Sequence, residues 1–319
     1  MKTYLIHLTD IFHPHGDPDD HYDLATVFAL HAQGRLELKY VVCDYPPPHR
    51  VGDPALCAIA QLNEITGSDV IGRVAPSDEA LAGERLLELM READRPVCFS
   101  IVGSTVSVAS AIKKDPALFS KKCAGIYMCA GTGVETPGGA LEYNVRLHAS
   151  AYSTIFTAPC PVYWVPCYST ITPEGEQGGL YGSVYCIEQR EMLMRLPKRM
   201  QNYFLYMLSR SQDPRYLRYL DYDIDEALLT EHGKNKRRLW STPALLTIGG
   251  VNCDTFAFHP VKVDCKEDGH LTWTDAAESN VQMLRLNQND RETTNSFDLT
   301  GSYRSEMLEK MTALIAEMK

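Results

Sequence analysis

The sequence predicts an α/β fold, doubly wound around a mainly parallel sheet, with a helical cap and a small C-terminal hairpin. In the first half of the chain, short apolar runs alternate with amphipathic helical patterns, the order that places helices on both faces of a parallel sheet. From about residue 170 to 239 the patterns become helical and rich in Met, Tyr and Leu, which predicts the cap. The strand-like segments PVKV and HLTWT then flank a turn at residues 267–269, and a last helix is expected over 303–318.

The predicted elements of the first half follow one another as strand and helix. Residues 4–8 form an apolar strand, and a helix over 23–33 ends at Gly34, a residue suited to a helix C-terminus. The other predicted strands are 36–42, 97–102, 126–130 and 162–165, and the other predicted helices are 53–66, 77–93, 104–114 and 148–157. Because ligands of such sheets bind at the carboxyl ends of the strands, residues that follow a strand are the first candidates for a site.

Composition limits the class of protein. The 319 residues, 45% hydrophobic and 23% charged, fit one enzyme-sized domain spanning 1–319. A net charge of −10 makes nucleic acid and anionic membranes unfavourable partners, and no run of 18 apolar residues predicts a membrane-spanning helix. The ten cysteines include no CxxC pair, which predicts reduced thiols and a cytoplasmic protein. The sequence leaves open whether the chain forms a homo-oligomer.

The segment between the first strand and the first helix is acidic. It holds five aspartates in 14 residues: Asp10, Asp17, Asp19, Asp20 and Asp23. Such carboxylates repel one another unless a cation or shared protons relieve them, and a hard cation with oxygen ligands would do so. In the alternative interpretation, Asp20 and Asp23 only cap a helix and complement its dipole. In a third, His13 and His15 are ligands of a transition-metal hydrolase.

A second segment with candidate chemistry runs from residue 126 to 144. A strand leads into a Gly-rich loop that ends in Glu142-Tyr143-Asn144. In an extended chain Glu142 and Asn144 point to one side, where their acceptors and donors suit vicinal hydroxyls. The tripeptide alone is a weak signal.

The predicted cap carries two further features. Its basic run favours a solvated face, with phosphate contact as the alternative; the run consists of Lys234, Lys236, Arg237 and Arg238. Tyr203, Phe204 and Tyr206 favour a core position over stacking on a base.

The acidic loop and the second segment together resemble the nucleoside hydrolase family, the inosine/uridine-preferring ribohydrolases. Its members open with a strand, an Asp-rich calcium loop of the form D-x-D-P-G-x-D-D and a helix, and later carry a strand ending in Met-Gly-Gly, a loop and Glu-Phe-Asn. Here Met128 precedes Glu142-Tyr143-Asn144 at the family spacing, and Gly103 matches the family's glycine turn. The C-terminal elements keep the family order, so the resemblance covers nearly the whole chain.

This resemblance implies a hydrolase that cleaves the N-glycosidic bond of a ribonucleoside or related ribosyl compound, a small-molecule substrate, with Ca²⁺ as cofactor. The metal ligands it implies are Asp10, Asp23, the Val102 carbonyl and an oxygen of Thr242. By the same resemblance, Ca²⁺ binds the ribose diol and a water, and either Asp20 or Asp19 takes the proton of that water as general base.

For the substrate, the resemblance implies that Glu142 and Asn144 hold ribose hydroxyls, that Tyr143 lies near the base, and that Met128 also contacts the substrate. The sequence departs from the family at two places. The insertion HPHG and the segment DPDDHYD replace the compact calcium signature, and the family's His-Asp-Pro, which supplies a leaving-group donor and a calcium carboxylate, appears as Ser241-Thr242-Pro243.

The second departure keeps other functions open. Because serine is a poor acid near neutral pH, either a histidine of the inserted loop protonates the leaving group, with His13, His15 and His21 as candidates, or the leaving group needs no proton. A third alternative is a catalytically weakened ribosyl-binding or regulatory protein of the same fold.

Overall fold

A large sheet with helices on both faces organises the chain in its computed structural model, which describes residues 2–14, 18–46, 52–135, 139–287 and 301–318. The strands are β1 (Thr3–Thr9), β2 (Phe12–His13), β3 (Leu36–Cys43), β4 (Asp53–Pro54), β5 (Ile71–Val74), β6 (Val97–Ile101), β7 (Cys123–Cys129), β8 (Val162–Val165), β9 (Thr170–Thr172), β10 (Gly175–Gln177), β11 (Tyr185–Glu188), β12 (Lys236–Leu239), β13 (Phe256–Cys265), β14 (Leu271–Asp275) and β15 (Val281–Leu286). The helices are α1 (Asp19–Ala32), α2 (Leu56–Thr66), α3 (Glu79–Glu92), α4 (Val106–Lys114), α5 (Pro116–Lys122), α6 (Tyr143–Leu147), α7 (Ala149–Ile155), α8 (Arg190–Leu193), α9 (Lys198–Leu208), α10 (Tyr216–Tyr219), α11 (Glu226–Gly233), α12 (Thr242–Ile248) and α13 (Ser302–Ala316).

The predicted doubly wound sheet is confirmed. Its nine strands lie in the order β14-β13-β15-β8-β7-β6-β1-β3-β5, and the run from β8 to β5 is parallel throughout. The strand β15 adds parallel to β8, and the antiparallel β13 and β14 form the predicted C-terminal hairpin, which turns where Gly269 donates its N–H to the Lys266 carbonyl. Because β1 has β3 on one side and β6 on the other, the order of the chain reverses at β1, where such folds bind ligands.

Two hydrophobic cores cover the two faces of the sheet. Leu5 points into one core, and its neighbours Ile6 and Leu8 point into the other, because successive side chains of a strand alternate. The first core joins the sheet to α1, α2, α12, α13 and the cap, and the second joins it to α3, α4, α5 and α7. The strand β1 is buried on both faces, as expected for the centre of a parallel sheet.

The cap segment, residues 170–239, is more mixed than its sequence indicates. It contains the four helices α8 to α11 and two pairs of short antiparallel strands, β9 with β10 and β11 with β12. Tyr203, Phe204 and Tyr206 of α9 are buried, as the core interpretation predicts. Helix α9 packs against α2, so the cap rests on the same face of the sheet as α1.

The start of one helix differs from the prediction, and one helix and one edge strand were not predicted. Helix α1 begins at Asp19, four residues before the predicted start, since Asp19 and Asp20 fill its first turn and favour the positive end of the helix dipole. Helix α5, which was not predicted, begins with Pro116 and is capped by the Asp115 carboxylate, which accepts the Leu118 N–H. The edge strand β5 was not predicted either, because its IGRV sequence does not alternate.

The structure also bears on the cysteines and on membrane-spanning helices. All ten cysteines are free thiols. Within the described ranges, no helix combines the length and the apolar character needed to cross a membrane.

Candidate active site at the reversal of strand order

Three neighbouring strand ends meet at one edge of the sheet. Asp10 follows β1, Asp44 follows β3 and Val102 follows β6. The Asp44 N–H donates to the Thr9 carbonyl at 2.9 Å, and the Val102 N–H donates to the Leu8 carbonyl at 3.0 Å. The pairing of β1 with both neighbours therefore continues to the point where these residues leave the sheet, and their groups share one crevice.

The turn after β6 packs directly on two of these aspartates. A Cβ atom on Gly103 would lie 2.6 Å from the Asp44 Oδ2 and 2.7 Å from the Asp10 nitrogen, so glycine is required at this close approach. The Asp44 Oδ2 also accepts the Ser104 N–H at 2.6 Å. Asp44 is not among the site residues predicted from the sequence, although it stands directly after a buried parallel strand, as Asp10 does.

Helix α1 adds Asp20 to the crevice. Its carboxylate accepts a hydrogen bond from the Thr9 hydroxyl at 2.8 Å. Burial raises the pKa of Asp20 well above its usual range, and the negative charges of Asp10, Asp19 and Asp23 raise it further. Three of the five aspartates of the acidic segment thus act on Asp20 by their charge, and Asp17 lies outside the described residues.

One turn further along α1, Asp23 faces the segment that replaces the family's His-Asp pair. The pKa of Asp23 is raised to about 7, mainly by burial. A hydrogen bond with Ser241 lowers this pKa, and the negative charge of Asp10 raises it. The Thr242 hydroxyl lies 2.7 Å from the Tyr185 hydroxyl and is buried. Ser241 thus contacts the acidic cluster, whereas Thr242 bonds to the cap through Tyr185.

The second candidate segment joins the same crevice through Asn144. Its side-chain N–H donates to the Val102 carbonyl at 3.2 Å. Glu142 is the N-cap of α6 and accepts the N–H groups of Asn144 and Gly131, each at 2.9 Å. Burial raises the pKa of Glu142, which these backbone amides oppose. The chain is therefore not extended over 142–144, because a helix begins at Tyr143 and the Glu142 carboxylate caps it and holds the loop.

The other two predicted substrate residues occupy different environments. Met128 is fully buried in β7, with no surface open to a ligand in this conformation. Tyr143 is the first residue of α6, and the Arg146 guanidinium lies 5.9 Å from the centre of its ring.

The histidines of the inserted loop contact the cap. The His13 ring stacks on Tyr206 at 4.8 Å, and its Nε2 is hydrogen-bonded to the Ser211 carbonyl. The His21 ring is buried, with Nδ1 at 3.3 Å from the Tyr203 hydroxyl. His15 lies outside the described residues.

The oxygen atoms of the crevice match the donors that Ca²⁺ prefers. The ligands implied by the resemblance include two carboxylates, Asp10 and Asp23, and the Val102 carbonyl, all hard donors. In the part of the chain that the structure describes, no group of three His, Cys, Asp or Glu side chains is arranged to hold a metal ion. A site with two carboxylates and a carbonyl is compatible with that finding, and a cation would offset the charges that raise the pKa of Asp20 and Asp23.

The fold is that of the nucleoside hydrolases. The chain superposes on the inosine-uridine preferring nucleoside hydrolase from Bacillus anthracis with a TM-score of 0.56 at 13% identity, covering 99% of each chain. A plant nucleoside hydrolase gives a TM-score of 0.54 at 14% identity, covering 99% of this chain and 100% of that one. The type III effector protein XopQ, in complex with adenosine diphosphate ribose, gives 0.56 at 12% identity, with coverage of 99% and 94%. Neither models of protein families nor the sequences of curated proteins match this sequence.

Proposed function

We propose that the protein hydrolyses the N-glycosidic bond of a ribonucleoside or a related ribosyl compound. One observation carries the proposal. Buried carboxylates from β1, β3 and α1 gather where the order of the strands reverses, and Asn144 ties the second candidate segment to the same crevice. The fold that the chain shares with nucleoside hydrolases supports this assignment.

We further propose Ca²⁺ as the cofactor, held by Asp10, Asp23 and the Val102 carbonyl, with Thr242 as an additional oxygen ligand. When bound, Ca²⁺ supplies a hard positive centre for vicinal hydroxyls and offsets the carboxylate charge. The Asn144 amide, which donates to the Val102 carbonyl, would fix the orientation of that carbonyl.

The carboxylates have two roles in this proposal. Asp20 is the general base, with Asp19 as the other candidate, because a raised pKa makes a carboxylate a better proton acceptor. The remaining negative charges would stabilise the positive charge that develops on the ribose ring as the bond to the leaving group breaks.

Departure of the leaving group limits the substrate. Ser241 is a weak acid, and both His13 and His21 are bonded to other groups at the cap and the loop. We therefore favour a substrate whose leaving group departs without a proton. XopQ was solved with adenosine diphosphate ribose, so ribosyl compounds other than nucleosides are candidates here as well.

The test is to compare a nitrophenyl riboside with inosine and uridine, in Ca²⁺ and in EDTA. We expect rapid cleavage of the nitrophenyl riboside in Ca²⁺ and little cleavage of the nucleosides. Asp20→Asn should lower kcat/KM by a factor of about 10² or more, whereas Asp69→Asn, at an exposed carboxylate, should leave it unchanged. Equal activity of Asp20→Asn and the wild type would exclude Asp20 as the base.

The same experiment separates this function from a ribosyl-binding or regulatory role. Ser241 and Thr242, in place of the family's His-Asp, favour that second candidate. Nucleoside binding by calorimetry without turnover of any riboside, including the nitrophenyl compound, would support binding and contradict hydrolysis.

A further inference from the structure

A pocket opens within the cap, beside the first turn of α1. Its volume is about 490 Å³. Its lining comes from Pro18, the end of α9, helix α11 and strand β12, and includes Met207, Arg210, Leu228, His232 and Arg237. Pro18 immediately precedes Asp19 and Asp20, so the pocket adjoins the acidic crevice along the chain.

The pocket is cationic in a protein of net charge −10. Two arginines and a histidine line it, against a single carboxylate, that of Glu231. Such a pocket attracts anions, and guanidinium groups bind phosphate through paired N–H donors.

Arg210 stands where a helix end favours glycine. It follows Ser209, the C-cap of α9, with φ at +53°, and donates its backbone N–H to the Met207 carbonyl at 2.9 Å. An arginine in this left-handed conformation is strained, and backbone strain that persists often marks a functional position. Among the described residues, no carboxylate forms an ion pair with the Arg210 side chain.

Strand β12 divides the basic run of the sequence between two faces. The Arg238 side chain pairs with Glu176. Arg237 points to the other face, lines the pocket, and acts by its positive charge on the buried Tyr22 of α1. The solvated face predicted for the whole run therefore does not describe Arg237.

We propose that this pocket binds the phosphate group of a phosphorylated ribosyl ligand, with Arg210 and Arg237 as its anchors. The inference rests on the proposed function for the identity of the sugar. A protein with a crevice of carboxylates could in this way bind an anionic ligand, since the phosphate would lie at a separate, cationic place.

Calorimetry can test the pocket with pyrophosphate in EDTA, and with inosine and inosine monophosphate in Ca²⁺. We expect Arg210→Gln and Arg237→Gln to weaken pyrophosphate binding at least tenfold, and Arg238→Gln, the matched control on the same strand, to leave it unchanged. The wild type should bind inosine monophosphate at least tenfold more tightly than inosine, and Arg210→Gln should lose that preference. Arg210→Gly, which suits the left-handed backbone, should lose it equally without loss of folding.

The outcomes separate the sources of the phosphate. A preference for inosine monophosphate that depends on Arg210 assigns the phosphate to the ribosyl ligand, as proposed. Pyrophosphate binding that needs both arginines, without that preference, supports the anion pocket but assigns it to a free phosphate compound. Equal pyrophosphate affinity in all variants, or no binding, overturns the pocket. Failure of riboside hydrolysis with arginine-dependent phosphate binding would contradict the proposed function alone.

Discussion

Replacing Asp23 by asparagine should make the metal-free protein more stable at alkaline pH. Burial raises the pKa of Asp23 to about 7, so between its unfolded pKa near 4 and pH 7 the folded state holds a proton that the unfolded state has lost. The free energy of unfolding therefore falls as pH rises through this range. Asparagine keeps the size and a hydrogen-bonding group for Ser241, but it has no proton to lose.

The size of the effect follows from that difference in pKa. Integrated from pH 5 to pH 8, a carboxyl with a folded pKa near 7 loses about 3 kcal/mol of stability relative to one that does not titrate. Asp23 is buried, so solvent does not screen this loss. The free energies of unfolding of the wild type and Asp23→Asn should thus differ by about 3 kcal/mol more at pH 8 than at pH 5, because the wild type loses more stability over this range.

Urea unfolding in EDTA at pH 5, 6, 7 and 8 measures the difference, because titrating groups outside the acidic cluster contribute equally to both proteins. Asp20, whose pKa the Asp23 charge raises, adds to the difference in the same direction. If the free energies of unfolding of the two proteins changed with pH in parallel, the raised pKa of Asp23 would be refuted. Adding Ca²⁺ at pH 8 should then stabilise the wild type and leave Asp23→Asn unchanged, since the proposed site loses one of its two carboxylates. Stabilisation of both proteins by Ca²⁺ to the same extent would exclude Asp23 as a ligand.

Three further predictions concern the buried His7 of β1, the start of α6, and Arg210 after α9. Burial lowers the pKa of His7 to about 3, so the wild type should lose about 2 kcal/mol between pH 7 and pH 5 as unfolded His7 takes up a proton, and His7→Gln should lack this loss in urea unfolding. Asn144→Ala should lower kcat/KM about 10²-fold with an unchanged melting temperature. Glu142→Gln changes the carboxylate that caps the backbone amides of α6, so it should lower the free energy of unfolding by about 1 to 2 kcal/mol in the same urea assay. Arg210→Gly should raise the melting temperature, by a gain of up to about 1 kcal/mol, because glycine adopts φ at +53° without strain; an unchanged or lower value would contradict the strain.

The fold could be predicted from the sequence because the central strands are buried on both faces. Strands such as β6 and β8 read as continuous apolar runs, and the predicted limits of β8 match the structure. The edge strand β5 escaped prediction because it is short, half-exposed and without periodicity. The cap combines short strands with helices, and the pairing of β11 with β12 depends on residues about 50 positions apart, which local patterns do not reveal.

The candidate site was less accessible to sequence reasoning. Asp10 follows a strand and Asp23 lies in the first helix, which made both of them candidates. Asp44 also follows a buried strand, but its bond to Ser104 and its contact with Gly103, which place it in the site, are visible only in the structure. Glu142 has a local role that its type and spacing did not indicate. Its carboxylate accepts backbone N–H groups at the start of a helix, as capping residues commonly do, and its contact with ribose stays a prediction.

Cleavage of an N-glycosidic bond makes two separate demands, and the proposed site would meet them unequally. The ring needs negative charge nearby, and here Asp44 adds a buried carboxylate to the crevice in a sequence that has Thr242 where the family has aspartate. The leaving group needs a proton, and Ser241, which is hydrogen-bonded to Asp23, does not supply one readily. In the proposed function, the carboxylates of the crevice would stabilise a ribosyl cation, but the site lacks an evident acid. We therefore expect the reactivity of the leaving group to decide which ribosyl compounds are hydrolysed.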